Sequence, residues 1–172
     1  QDYQIANDEE LWGVTLEAEP TERLSFRIYA DDYSDSTGKE LTELGAEASF
    51  KVTDRVTLDL GVEQLDKVTP GGDADETGRR TDAAVRVTYK QSDDLTLYAF
   101  GQHTLSRSGG LKRNDRYGAG AKYRFAQNWT VEGEVSDGTD GFGADLIFNY
   151  QSDGYDSAYF GYRLEPGREL SG

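Results

Sequence analysis

The residue types that could carry chemistry are few. His103 is the only histidine of 172 residues, and the chain has neither cysteine nor methionine. One imidazole cannot assemble a multi-histidine metal site, and a general base needs a positioned partner. Asp31, Asp32 and Asp35, and then Asp73, Asp75 and Glu76, offer the hard oxygen ligands that calcium takes. Their spacing departs from an EF-hand loop, however, and they read as solvated acidic loops. Lys112, Arg113 and Arg116 form the one basic cluster. No nucleophile–base pair, cofactor motif or metal set emerges, so the chain is expected to be no enzyme, with no cofactor and no metal.

Composition narrows the classes further. The 172 residues suit one domain, and a formal charge of −15 repels phosphate backbones, so nucleic acid is excluded as a partner. Only 35% of the residues are hydrophobic, and no run approaches the roughly 18 apolar residues of a spanning helix. Aromatic residues at 12% argue against disorder, and the presence of only three prolines suits long paired strands. Residue 1 is read as a mature boundary rather than a translation start.

Period-two alternation then supplies the elements. Trp12, Val14, Leu16 and Ala18 alternate with Gly13, Thr15 and Glu17, and Leu24, Phe26, Ile28 and Ala30 with Ser25, Arg27, Tyr29 and Asp31. Equivalent half-polar runs cover 44–50, 56–63, 83–89, 95–103, 116–125, 129–135, 142–150 and 158–164. This predicts about ten antiparallel strands within residues 11–164. Polar turns at 20–23, 53–55, 91–94, 126–128 and 152–156 alternate with longer predicted loops at 31–43, 64–82, 102–116 and 136–141.

One face of these strands is apolar, with aromatic residues toward both ends, among them Phe50, Tyr89, Tyr123 and Trp129 at one rim and Trp12, Tyr117, Phe142 and Tyr162 at the other. The opposite face carries Glu17, Arg27, Glu47, Asp59, Glu63, Arg86, Lys122, Arg124, Glu132, Glu134, Asp145 and Arg163. So many charges need a hydrated or mutually paired environment. The alternation fits a membrane wall around a polar interior; it also fits a sheet whose charged face meets bulk water and whose apolar face is the core. The two aromatic rims favour the first.

With these features the chain resembles the outer-membrane β-barrel proteins of Gram-negative bacteria. Tyr117-Gly-Ala-Gly-Ala-Lys-Tyr-Arg-Phe125 is similar to the assembly signal of such barrels, with Gly120, Tyr123 and Phe125 at the matching positions. The resemblance implies an all-β, transmembrane, up-and-down antiparallel barrel in the cell outer membrane, with short turns in the periplasm. It implies a porin-like transport role, a passive pore or conduit for ions or small polar solutes lined by Glu47, Asp59, Arg86, Lys122, Glu132 and Asp145. The alternative is a structural or adhesive barrel acting through its long extracellular loops. Expected partners are membrane lipid, lipopolysaccharide at Lys112, Arg113 and Arg116, and further barrel strands or a cell-envelope protein complex. A barrel protease would need Asp or Glu placed around His103, and Asn128-Trp129-Thr130, although a glycosylation pattern, would lie at a periplasmic turn.

Two departures refine the expectation. The chain ends in Arg-Glu-Leu-Ser-Gly, without the terminal aromatic of such barrels. The first and last connections are both short, which would put both termini outside. One added strand at each end repairs this, making residues 1–172 an arc of a barrel of about twelve or more strands.

Overall fold

The computed structural model describes residues 8–71, 77–152 and 156–164. Asp73, Asp75 and Glu76, the middle of the 152–156 turn and the terminal Arg-Glu-Leu-Ser-Gly lie outside these residues. Ten strands form: β1 (Glu9–Thr21), β2 (Leu24–Asp35), β3 (Glu40–Lys51), β4 (Val56–Val68), β5 (Gly78–Lys90), β6 (Leu95–Gly109), β7 (Arg116–Ala126), β8 (Trp129–Gly138), β9 (Gly143–Gln151) and β10 (Ser157–Leu164). They make one antiparallel sheet in which spatial order equals chain order, β1 to β10. The strand number and the antiparallel meander agree with the alternation, because each hydrophobic run fixes which face its strand turns to its neighbours.

Closure does not occur. β1 hydrogen-bonds only to β2 and β10 only to β9, so among the described residues the sheet keeps two open edges. This corrects the expectation of a barrel closed by these ten strands, and with it the resemblance to Gram-negative outer-membrane barrels. The physical objection to the transmembrane assignment is the edge itself. In hydrocarbon every unpaired backbone N–H and C=O costs several kcal/mol, and only helices and closed barrels avoid that cost. An outer-membrane location, membrane lipid, lipopolysaccharide or further barrel strands as partners, and a place in a cell-envelope complex are corrected on the same ground. Among the described residues no helix is long and apolar enough to cross a membrane either.

The polar segments predicted as long loops are mostly strand. β2 runs on to Asp35 and β3 begins at Glu40; β6 runs to Gly109 and β7 begins at Arg116. Asp and Ser weaken strands in isolation, but here cross-strand pairing carries them, as in the register Glu9↔Asp35 through Trp12↔Asp32. The short turns are built by local hydrogen bonds. Thr53 Oγ1 accepts from the N–H groups of Arg55 (3.2 Å) and Val56 (3.0 Å), and Ser92 Oγ from those of Asp94 (3.2 Å) and Leu95 (3.1 Å). Pro20, which cannot donate to a ladder, sits where the β1–β2 register shifts between Ala18 and Thr21.

Contacts divide the chain into two compact units. The first comprises Gln1–Ser49, Leu60–Ala83 and His103–Arg113; the second comprises Phe50–Asp59, Ala84–Gln102 and Asn114–Gly172. Neither holds an ordinary apolar core. Tyr98 and Leu111 are the buried large apolar residues among those described, whereas Asp82, Thr104 and Ser136 are buried polar ones. Tyr98, Asp82, Thr104 and Ser136 all belong to the charged face, so the polar side of the sheet is the more enclosed one.

Candidate functional site

The charged face is held together by a device that occurs once in each unit. In the second unit, Tyr98 on β6 stands opposite Gly120 on β7, which stands opposite Glu134 on β8. Glycine leaves no side chain between them, and a Cβ at Gly120 would strike the Tyr98 ring. The ring therefore lies across β7, and its hydroxyl donates to Glu134 Oε2 at 2.9 Å. Arg86 places its guanidinium 3.8 Å from the Tyr98 ring centroid, close enough for a cation–π contact. In the first unit, a Cβ at Gly45 would strike the Tyr29 ring, and the Tyr29 hydroxyl donates to Glu63 Oε2 at 2.7 Å. Arg27 stands over this ring at 4.9 Å.

Both tyrosines respond to this setting in the same direction. Burial, then the hydrogen bond and charge of Glu134, push the Tyr98 phenol up to about 12. Burial first and Glu63 second raise Tyr29 as well. Glu43 is raised by burial and by the neighbouring carboxylates Glu63 and Asp31. Both phenols thus stay neutral donors.

The six residues expected to line a passage all sit on strands. Glu47 belongs to the first unit and meets Arg27 at 3.7 Å. In the second unit, Arg86 covers Tyr98, Lys122 stands opposite Glu132 in the β7–β8 register, and Asp145 accepts from Arg163 Nε at 2.9 Å. Asp59 lies half-buried on β4. A pore requires a closed wall, and the open sheet has none, so the conduit role and the alternative of an adhesive membrane barrel are both corrected.

Arg116, Glu134, Ser136, Asp140, Asp145 and Arg163 do line a shallow polar recess of about 480 Å³ in the second unit. Its guanidiniums are engaged: Arg116 bonds Ser136 Oγ at 2.9 Å and Glu134 Oε1 at 3.3 Å, and Arg163 bonds Asp145. The basic trio is exposed, with Arg113 and Arg116 bonded to neighbouring groups of the chain. Arg113 Nη2 donates to the Thr104 carbonyl at 3.2 Å and contacts His103 Nε2 at 3.1 Å, while the Lys112 carbonyl accepts from Arg80. Because a guanidinium only donates, the His103 nitrogen is the acceptor and its lone pair is occupied. The acidic trio does not converge: Asp32 accepts from Trp12 and Thr42, while Asp35 closes the β2–β3 turn through the N–H groups of Thr37 and Lys39. Among the described residues no group of three His, Cys, Asp or Glu side chains is placed to hold a metal ion.

Sequence reasoning missed the Tyr–Gly–Glu arrangement and the buried Arg80–Asp82–Thr104 triad. In the triad Asp82 accepts from Arg80 Nε and from Thr104 Oγ1, both at 2.7 Å. A usable signal was a tyrosine and a glycine at charged-face positions of adjacent strands. No family model matches the chain, and no characterised protein is significantly similar to it in sequence.

The apolar face has the opposite character. In the first unit Val14, Leu16, Ile28, Leu44 and Val62 surround a trough of about 540 Å³. In the second, Ala119, Ala121 and Ala144 floor one of about 490 Å³ bordered by Val135, Leu146 and Tyr162. Val14 is 63% exposed and Phe160 72%.

Proposed function

We propose that this chain is a non-catalytic assembly module that works by laying its apolar face against the apolar surface of a protein. One observation carries the reading: the buried polar side chains Asp82, Thr104 and Ser136 and the side-chain bonds lie on the polar face, while the aliphatic and aromatic side chains of the other face stand uncovered. Isolated exposed apolar residues are ordinary, but contiguous apolar surface beyond a few hundred Å² marks a contact site. A sheet with one apolar face is completed by a second layer packed about 10 Å away.

The charged face supports the same reading by what its groups already do. Arg86, Arg116 and Arg163 are committed to Tyr98, Glu134, Ser136 and Asp145, and the His103 lone pair faces Arg113. Nucleophilic catalysis needs an activated nucleophile beside a free base.

The test compares charge placed on the two faces. At concentrations where copies do not associate, Val14→Glu and Leu146→Glu are each expected to reduce binding of a dye that fluoresces on apolar protein surface. They should change the thermal midpoint little, because both sites are exposed. Lys122→Glu, on the charged face, should leave dye binding as it is. Equal dye binding by wild type and both apolar-face variants sinks the reading.

A further inference from the structure

We infer that the surface covering the first unit's apolar trough is the same trough on a second copy of this chain, the two sheets packing face to face about a two-fold axis; this rests on the reading above.

The shape and chemistry of the patch point to a like partner. In the β1–β2 register Val14 faces Ala30 and Leu16 faces Ile28, so one small side chain stands among three large ones on this face. Ala30 and Ala46 floor the trough and Leu44 and Val62 border its far side. The ridge made by Val14 and Leu16 in one copy is of the size that a floor of alanines accepts in the other. A two-fold contact uses one patch twice, so a patch that has both ridge and trough is its own complement. Two antiparallel sheets stacked on their apolar faces form a β-sandwich, the usual completion of such a layer.

Area and charge agree. Seven side chains, Trp12, Val14, Leu16, Ile28, Leu44, Leu60 and Val62, are 45–63% exposed. Together they present on the order of 600 Å². Two copies would bury roughly 1,200 Å², the lower end of specific interfaces. The patch itself holds no charge; Asp32 lies at its rim, bonded by Trp12 and Thr42. Glu17, Glu47 and Glu63 belong to the opposite face, so the net charge of −15 does not sit between the copies. A partner recognised by charge would find nothing to pair with there. An aliphatic patch would meet its own kind.

Sedimentation of the purified chain across about a hundredfold range of concentration tests this. Wild type should pass from monomer to dimer, and Val14→Glu and Ile28→Glu should remain monomeric with unchanged far-ultraviolet circular dichroism. Leu146→Glu, in the other unit, should dimerise like wild type. Since the chain has no cysteine, Ile28→Cys gives a single thiol that a short bismaleimide should link into a covalent dimer, whereas Leu146→Cys should give none. A wild type that stays monomeric throughout overturns the inference. So does a dimer that survives Ile28→Glu and is lost in Leu146→Glu. A monomer whose dye binding is still reduced in Val14→Glu overturns the second copy while leaving the assembly reading standing. A monomer whose dye binding is unaltered removes both.

Discussion

Asp82 shows why the charged face is more than a solvated surface. Its carboxylate is almost fully buried and accepts from Arg80 and Thr104. Breaking a buried pair from one side leaves an uncompensated charge, a cost of about 3–5 kcal/mol. Asp82→Ala is therefore expected to lower stability by roughly 3 kcal/mol in urea unfolding, while removing an exposed pair such as Lys90–Asp93 should change it far less. Tyr98 gives a pH signature. Its phenol is raised to about 12 by burial and by Glu134, above the unfolded value of about 10. Between these values the folded state holds a proton that the unfolded state has lost, so stability falls as pH rises through that window. Tyr98→Phe should flatten this alkaline loss, read as the thermal midpoint against pH. An ultraviolet phenolate titration should show one fewer late-ionising tyrosine.

Among the elements, the hairpins and the glycine gaps set the register. Gly120 is the gap that lets Tyr98 cross β7, and Gly45 does the same for Tyr29. Gly120→Ala should displace the ring and break its bond to Glu134, costing about 1–3 kcal/mol and abolishing the raised phenol ionisation. The β2–β3 turn depends on Asp35, whose carboxyl is held below its ordinary range chiefly by the Thr37 hydroxyl and then by the N–H groups of Lys39 and Thr37. A depressed carboxyl contributes above its unfolded value and loses that contribution as pH falls through the folded one. Acidification should therefore leave the Thr37 and Lys39 amides less protected in hydrogen exchange than the strand interiors. Strand number and facing were legible here because alternation such as Trp12 to Ala18 has one period and one meaning. Strand ends were not. Asp31 to Asp35 and Leu105 to Gly109 carry no apolar alternation of their own and are strand only because partners pair with them.

At the scale of the whole molecule, the open edges and the bare apolar face stand out among the described residues. Phe160 and Tyr162 on β10, and Leu11 and Val14 on β1, are among the most exposed large side chains, as expected where a strand has one neighbour instead of two. With a net charge of −15, any association between copies is opposed by long-range repulsion that salt screens over about 10 Å. Raising ionic strength should therefore strengthen self-association measured by light scattering. An assembly held by cross-copy ion pairs would weaken instead.

The sequence by itself determined the class of element, the number of strands, their order along the chain and which side of each strand is charged. These follow from period-two patterning and turn chemistry, which act within about ten residues. The Tyr98–Glu134 and Tyr29–Glu63 bonds were beyond it, because each skips a strand and depends on a glycine standing opposite. Closure was beyond it too. Whether β1 meets β10 depends on the accumulated twist and stagger of all the strands rather than on any residue, and the same alternation is written for a closed wall and for an open sheet. His103 looked like a lone loop-edge imidazole; only the fold brought Arg113 to its ring nitrogen. The tertiary structure alone decided that the buried polar side chains and their cross-strand bonds lie on the charged face and that the apolar face is left uncovered.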